Sequence, residues 1–282
     1  MLSILSLAMM AVVLRTAAGF AATTTTTALK PSPAPALSQE WETMFPPSTR
    51  PLTVLDHVST ADMVVFQQPH GLGSLYRHMM RHAIYKLKDG TVIVYNPIAP
   101  TEETLHETVQ TFGREPDHII VPTNSYEHLV MVPGWTRRFP NAVFWSLPGV
   151  ELDGAQISKD LTEESLPGSG ELEIAVMDAS PLLQECYLLH RPTKSAFSID
   201  SFNWIADEHI ASSLGGAGIK AVGGYNRPHC STKMLMWNRD NCRRAISRVL
   251  SWDFDKVIPT HGVCPIPNAK EAMTEAFSFL DA

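Results

Sequence analysis

The period of the hydrophobic positions changes several times along the chain, and each change marks an element. Between Leu52 and Gln67 the apolar residues Val54, Leu55, Val58, Met63, Val64 and Phe66 suggest a strand. His82 to Leu87 alternates, Lys88-Asp89-Gly90 reads as a turn, and Thr91 to Tyr95 is a second strand. Together they predict a hairpin whose Asp-Gly turn supplies the positive φ. Asn96-Pro97-Ile98 breaks that strand. Thr101 then caps a helix running to Gly113, with Glu102 and Glu103 in its first turn, where the dipole favours anions.

Downstream the runs shorten. Asp117 to Val121 reads as a short buried strand, followed by the polar cluster Thr123 to His128 and a helix or loop from Leu129 to Phe139. Ala142 to Trp145, Glu171 to Met177, Cys186 to His190 and Ala196 to Ile199 read as strands. Arg239 to Trp252 carries Cys242, Ala245, Ile246, Val249 and Leu250 at helical spacing. Lys256 to Pro259 predicts a strand ending at Thr260-His261-Gly262, and Asn268 a cap for a last helix, Ala269 to Leu280. Gly215-Gly216-Ala217-Gly218 lacks a following Lys-Ser/Thr and a preceding strand, so it predicts a flexible loop rather than a phosphate cradle. An early β segment followed by short strands separated by helices, with no internal repeat, indicates an α/β sandwich.

Residues 1–40 stand apart. Leu2 to Leu14 is an apolar run too short to span a bilayer, followed by Arg15 and the small-residue stretch Thr16 to Ala22. Then come Thr23 to Thr27, Lys30 and Pro31, Pro33 and Pro35, with no acidic residue from Leu2 to Gln39. This order is similar to the bipartite presequence of complex plastids, a signal peptide followed by a transit segment that would begin at Phe20. Plastid import is the expectation and secretion the alternative. The Pro and Thr content argues against packed structure before Trp41, which leaves residues 41–282 as one folded domain.

The chain has 282 residues, 44% of them hydrophobic, enough to bury one large core. A formal net charge of −7 without a long basic run gives nucleic-acid binding no electrostatic support. Cys186, Cys230, Cys242 and Cys264 are scattered, with no C-x-x-C pair, and read as free thiols, mostly buried. Trp135 and Trp145 read as core. Arg77, His78, Arg81 and His82 form a basic pair of turns that reads as solvated or edge-strand rather than metal-ligating, and Arg191 and Lys194 are candidates to bind an anionic substrate.

Three strand-to-loop junctions carry a resemblance. They are Ile119-Ile120-Val121-Pro122-Thr123-Asn124-Ser125-Tyr126-Glu127-His128, then Tyr187 to His190 followed by Phe197-Ser198-Ile199-Asp200, then Val257-Ile258-Pro259-Thr260-His261-Gly262. Their order resembles the metallo-β-lactamase superfamily (ribonuclease Z and hydroxyacylglutathione hydrolase among its members), in which H-x-H-x-D-H is followed by a His, an Asp and a His. Pro97 to Thr101, Asn124 to His128, His190 to Lys194 and Trp252 to Gly262 are closer still to one branch, domain of unknown function 4336. The resemblance implies an αββα sandwich in a single domain.

Aligned on its last histidine, the family motif falls on Thr123, Ser125, Glu127 and His128. The resemblance thus implies that the two histidines of the first metal position are replaced by hydroxyl residues. It leaves Glu127, His128, Asp200 and His261 as ligands of one ion, with His190 and Asp200 as the catalytic pair and His190 orienting substrate or donating a proton. Two histidines and one or two carboxylates satisfy a hydrolytic zinc site with an open position, and such a set also suits iron. Neutral hydroxyls are poor ligands for either. Three readings stay open: a single-metal (Zn or Fe) hydrolase of a small-molecule ester, thioester or phosphoester; a non-catalytic binding protein that keeps the cleft without metal; and a mononuclear iron redox protein.

Overall fold

The computed structural model describes residues 50–72, 76–168, 170–210, 212–221 and 223–281, the side chains of 71–78 excepted. The presequence expected at 1–40 lies outside the described residues, as do the side chains of Arg77 and His78. Among the described residues the first sheet holds, in spatial order, β1 (Thr53–Val54), β2 (Met63–Leu72), β3 (Tyr76–Lys86), β4 (Val92–Tyr95), β5 (His118–Val121), β6 (Val143–Ser146) and β7 (Ser158–Asp160). It is antiparallel from β1 to β4 and parallel from β4 to β7. The parallel half requires crossovers, and α1 (Glu102–Phe112) makes the first. Its ends are those the residues specify: the Thr101 side chain accepts from Thr104 N–H, and Gly113 closes the helix at φ 70°.

Past β5 come the single turn α2 (Tyr126–Leu129) and α3 (Val132–Arg138). The second sheet is built from β8 (Leu172–Ser180), β9 (Leu183–His190) and β10 (Ser195–Ser198). A small ribbon follows, β11 (Phe202–Trp204) with β12 (Pro228–Cys230), and between its strands lies α4 (Ser213–Ala221). After α5 (Arg239–Ser251), β13 (Lys256–Pro259) joins the second sheet beside β10, in parallel, and α6 (Ala269–Phe277) ends the fold. The expected flexible loop at Gly215 to Gly218 is therefore a helix. Ser212 starts it, accepting Gly215 N–H on its hydroxyl and Gly216 N–H on its carbonyl, and a Cβ at Gly216 would meet Ile210 Cγ2 at 3.2 Å.

The two sheets face each other across a core that includes Met63, Tyr85, Ile93, Ile120 and Trp145 from the first and Ile174, Leu188, Phe197 and Ile258 from the second. The outer face of the first sheet is covered by α1 and α3 through Leu105, Val132, Trp135 and Phe139. The outer face of the second is covered by α5 and α6 through Cys242, Val249, Met273 and Phe277. This is a four-layer αββα sandwich. β4 is buried on both faces, with Val92 and Val94 packed beside Leu105 and Ile93 and Tyr95 between the sheets, which is why it reads as an unbroken apolar run. All four cysteines are free, three of them buried and Cys264 partly so.

Candidate metal centre

The carboxyl ends of four strands from both sheets open at the same edge, the usual ligand edge of parallel β structure. β4 leads to Asn96, β5 leads through Pro122 into α2, β10 leads to Asp200 and β13 to His261. Thr123 Oγ1 accepts Ser125 N–H at 3.0 Å, a local turn that starts α2 and leaves Glu127 and His128 on its single turn. Asn124 clamps this loop to β9, taking Gln184 N–H on its side-chain oxygen and giving its own N–H to Gln184 O. At the last junction Gly262 has φ 76°, and a Cβ there would lie 2.2 Å from Trp204 O, so only glycine lets the His261 loop pass. Buried Arg81 holds the same loop by donating to Pro259 O and Gly262 O.

These junctions bring Glu127, His128, Asp200 and His261 together, with one ligand atom of each within 4.8 Å of all the others. His128 Nε2 is 3.4 Å from Asp200 Oδ1 and 3.9 Å from Glu127 Oε1. His261 Nε2 is 3.3 Å from Asp200 Oδ1 and 3.6 Å from Glu127 Oε1. The opposite ring nitrogens are committed elsewhere. His261 Nδ1 donates to Met79 O at 2.9 Å, because a carbonyl can only accept. His128 Nδ1 lies 2.7 Å from Asn96 Oδ1, and the Asn96 amide nitrogen is fixed by Arg81 O and Thr260 Oγ1, so His128 Nδ1 donates too. Asn96 holds this pose at φ 60°, a conformation asparagine tolerates.

The Nε2 atoms therefore face two carboxylates, and a cation must lie between them. In the metal-free fold a proton on His261 suits that place. Burial pushes the His261 pKa down, but the hydrogen bonds and charges of Asp200 and Glu127 outweigh burial and raise it to about 10. Burial would lift both carboxylates; hydrogen bonds from His261 and His70 instead hold Glu127 well below its ordinary range, and the charge and hydrogen bonds of His128 and His261 lower Asp200.

His190, expected to orient substrate or donate a proton beside Asp200, is not at this site. It pairs with Ser195, the first residue of β10, so about 10 Å of strand separates it from the turn after Ser198 that carries Asp200. There it packs on Tyr85 at 4.9 Å and meets Thr193 Oγ1 through Nδ1 at 2.8 Å. The reason is strand direction. β9 is antiparallel to β10, so its beginning, not its end, borders the site, and the residue placed there is Glu185. This buried carboxylate accepts Asp200 N–H at 3.1 Å and Ser201 N–H at 3.0 Å, and takes the Ser201 hydroxyl as well. Burial and the Asp200 charge raise its pKa to about 7. Arg191 and Lys194 share the position of His190 and pair with Glu173 and Asp253, away from the cleft.

Two contributors carry no motif spacing. Asn96 sits where the break after β4 was read only as a strand end. His70, in β2, is buried, contacts Glu127 Oε2 through Nε2 at 3.2 Å and stacks on His261 at 5.9 Å between ring centroids. Among the described residues the four-ligand cluster is the one group with metal-binding geometry.

Comparison with known proteins bears on the fold first. The chain has the metallo-β-lactamase fold. Residues 61–150 match the model of a domain of unknown function (DUF4336). A metallo-β-lactamase from Pontibacter korlensis is 12% identical, with a TM-score of 0.54 over 82% of this chain and 99% of that one. The metallo-β-lactamase FIM-1 from Pseudomonas aeruginosa, in a mono-zinc form, is 11% identical with a TM-score of 0.53 over 83% and 97%. The metal-soaked Flv1 flavodiiron core from Synechocystis is 10% identical with a TM-score of 0.56 over 82% of this chain, which spans 61% of the length of that core. No curated protein sequence matches the chain.

Proposed function

We propose that the protein is a single-metal hydrolase of an ester, thioester or phosphoester. The carrying observation is the donor set: four ligand atoms within 4.8 Å of one another, with the Nδ1–H of both histidines spent on outward acceptors. Neutral imidazoles oriented by a second hydrogen bond, together with two carboxylates, fit zinc or iron. Glu127, His128, Asp200 and His261 would hold the ion, which when bound supplies Lewis-acid polarisation and a more acidic water. Asn96 and Met79 O orient the two rings, and Glu185 anchors the Asp200 turn through two backbone N–H groups. Thr123, at the first position of the motif, has its hydroxyl occupied by Ser125 N–H and is buried. That favours one ion over two, the form in which FIM-1 was also observed.

The test is reconstitution of the full chain with zinc, then assay on chromogenic ester, thioester and phosphodiester substrates. Activity that requires zinc and falls by two orders of magnitude or more in Asp200→Ala supports the reading. A folded protein that takes up no zinc fits the alternative instead, a non-catalytic binding protein that keeps the cleft without metal. The likeness to a flavodiiron core favours one further reading, a mononuclear iron redox protein, which predicts selective retention of iron and reaction with dioxygen. No helix among the described residues is long and apolar enough to cross a membrane. Plastid delivery by residues 1–40 is proposed as well; a fluorescent reporter fused to that segment should enter plastids, and a secreted reporter would contradict it.

A further inference from the structure

Glu127 stands where the related motif has the shorter aspartate, so its carboxylate needs its own restraint to face the cluster. Arg50 and His70, both buried, supply one. Arg50 Nη1 lies 3.0 Å from Pro69 O and 3.3 Å from His70 Nδ1. A guanidinium has no acceptor, so His70 Nδ1 accepts, and the ring proton of neutral His70 sits on Nε2. That N–H points at Glu127 Oε2, 3.2 Å away. The other carboxylate oxygen, Oε1, is thereby the one that faces His261 Nε2 at 3.6 Å and His128 Nε2 at 3.9 Å.

We propose that His70, its tautomer set by Arg50, is a positioning residue that fixes Glu127 Oε2 and turns Oε1 into the metal centre. The inference rests on the metal-binding reading above and adds a residue to it. His70 belongs to β2, an antiparallel strand that holds none of the three motif junctions, and its Nε2 is not one of the four converging atoms. A hydrogen bond to a ligating carboxylate fixes its orientation, and loss of such a partner typically costs ten- to a hundredfold in metal affinity.

The experiment measures the Co(II) dissociation constant and visible absorption of the full chain as wild type, His70→Leu, His70→Asn and His70→Gln. Far-UV circular dichroism and metal-free melting temperature are recorded alongside. Gln places an amide N–H near the position of Nε2; Asn places one near Nδ1 and none at Nε2. The expected result is a dissociation constant about ten- to a hundredfold higher and an altered absorption band in the Leu and Asn variants with the fold retained. His70→Gln should stay near the wild-type value and spectrum. Should the Leu variant not fold, the contrast between Asn and Gln decides alone. Equal affinity in all four proteins overturns the positioning role while leaving the metal site standing. Equal loss in Gln, Asn and Leu overturns it in favour of His70 as a direct ligand. A wild type that takes up no Co(II) overturns the metal reading itself, a result distinct from either.

Discussion

If a proton is the cation that holds the metal-free cluster together, metal uptake has to displace it, and the displacement can be counted. The perturbation is the pH at which metal is added. Burial alone would lower the His261 pKa; Asp200 and Glu127 raise it from 6.5 to about 10, a difference of roughly 5 kcal/mol in favour of the charged ring. Because the folded value lies above the unfolded one, this stabilisation is fully present below pH 6.5 and is lost as pH rises through about 10. Between those limits each ion must expel the His261 proton to reach Nε2, so apparent affinity should rise about tenfold per pH unit. Isothermal titration calorimetry with zinc at pH 7.5, in buffers of different ionisation enthalpy, reads the protons released as a slope. At least about one per ion is expected, and the slope should fall in His261→Ala. A slope near zero, or an affinity flat between pH 7 and 9, would refute the reasoning.

Three further outcomes follow from particular contacts. Asn96→Gly keeps the φ 60° backbone but removes the acceptor of His128 Nδ1; zinc affinity should fall about ten- to a hundredfold, read by competition with a chelator. His82 is buried edge-on against Phe66 and Trp135, neither ring nitrogen has a hydrogen-bond partner among the described residues, and burial lowers its pKa to about 3. The unfolded chain therefore binds a proton that the fold refuses, so stability is complete above pH 6.5 and falls as pH drops toward 3; His82→Phe should move the acid unfolding midpoint downward. Gly262→Ala combines a left-handed backbone, about 1–2 kcal/mol, with a Cβ 2.2 Å from Trp204 O; it should lower the metal-free melting temperature and weaken zinc binding together.

Much of this architecture was legible because the elements obey local rules. The Asp89-Gly90 turn, the Thr101 cap and the Gly113 stop are short-range events, and the structure places each as its residues predict. The four-ligand cluster was readable for a different reason: each member sits one short step past a strand, so the order of junctions carried the geometry. What failed was orientation between elements. His190 has the right place in the order, but antiparallel β9 carries it to the far end of the sheet and brings Glu185 to the site instead, and no residue pattern states which end of a strand faces a cleft. His70 lies 57 residues before Glu127 and has no spacing relation to it; only the pairing of β2 with β3 brings it in. The glycine run at 215–218 went the other way: Ser212 starts a helix there by accepting Gly215 N–H and Gly216 N–H, against the low helix propensity of glycine.

The proposed function requires a single metal ion held by Glu127, His128, Asp200 and His261. Its most direct test is the metal content of the full chain, purified after growth with zinc and iron supplied, beside His128→Ala and His261→Ala prepared identically. Elemental analysis should give about one ion per chain in the wild type and strongly reduced content in both variants that retain the wild-type circular dichroism. A wild type without metal, or folded variants that keep the full complement, would contradict the account.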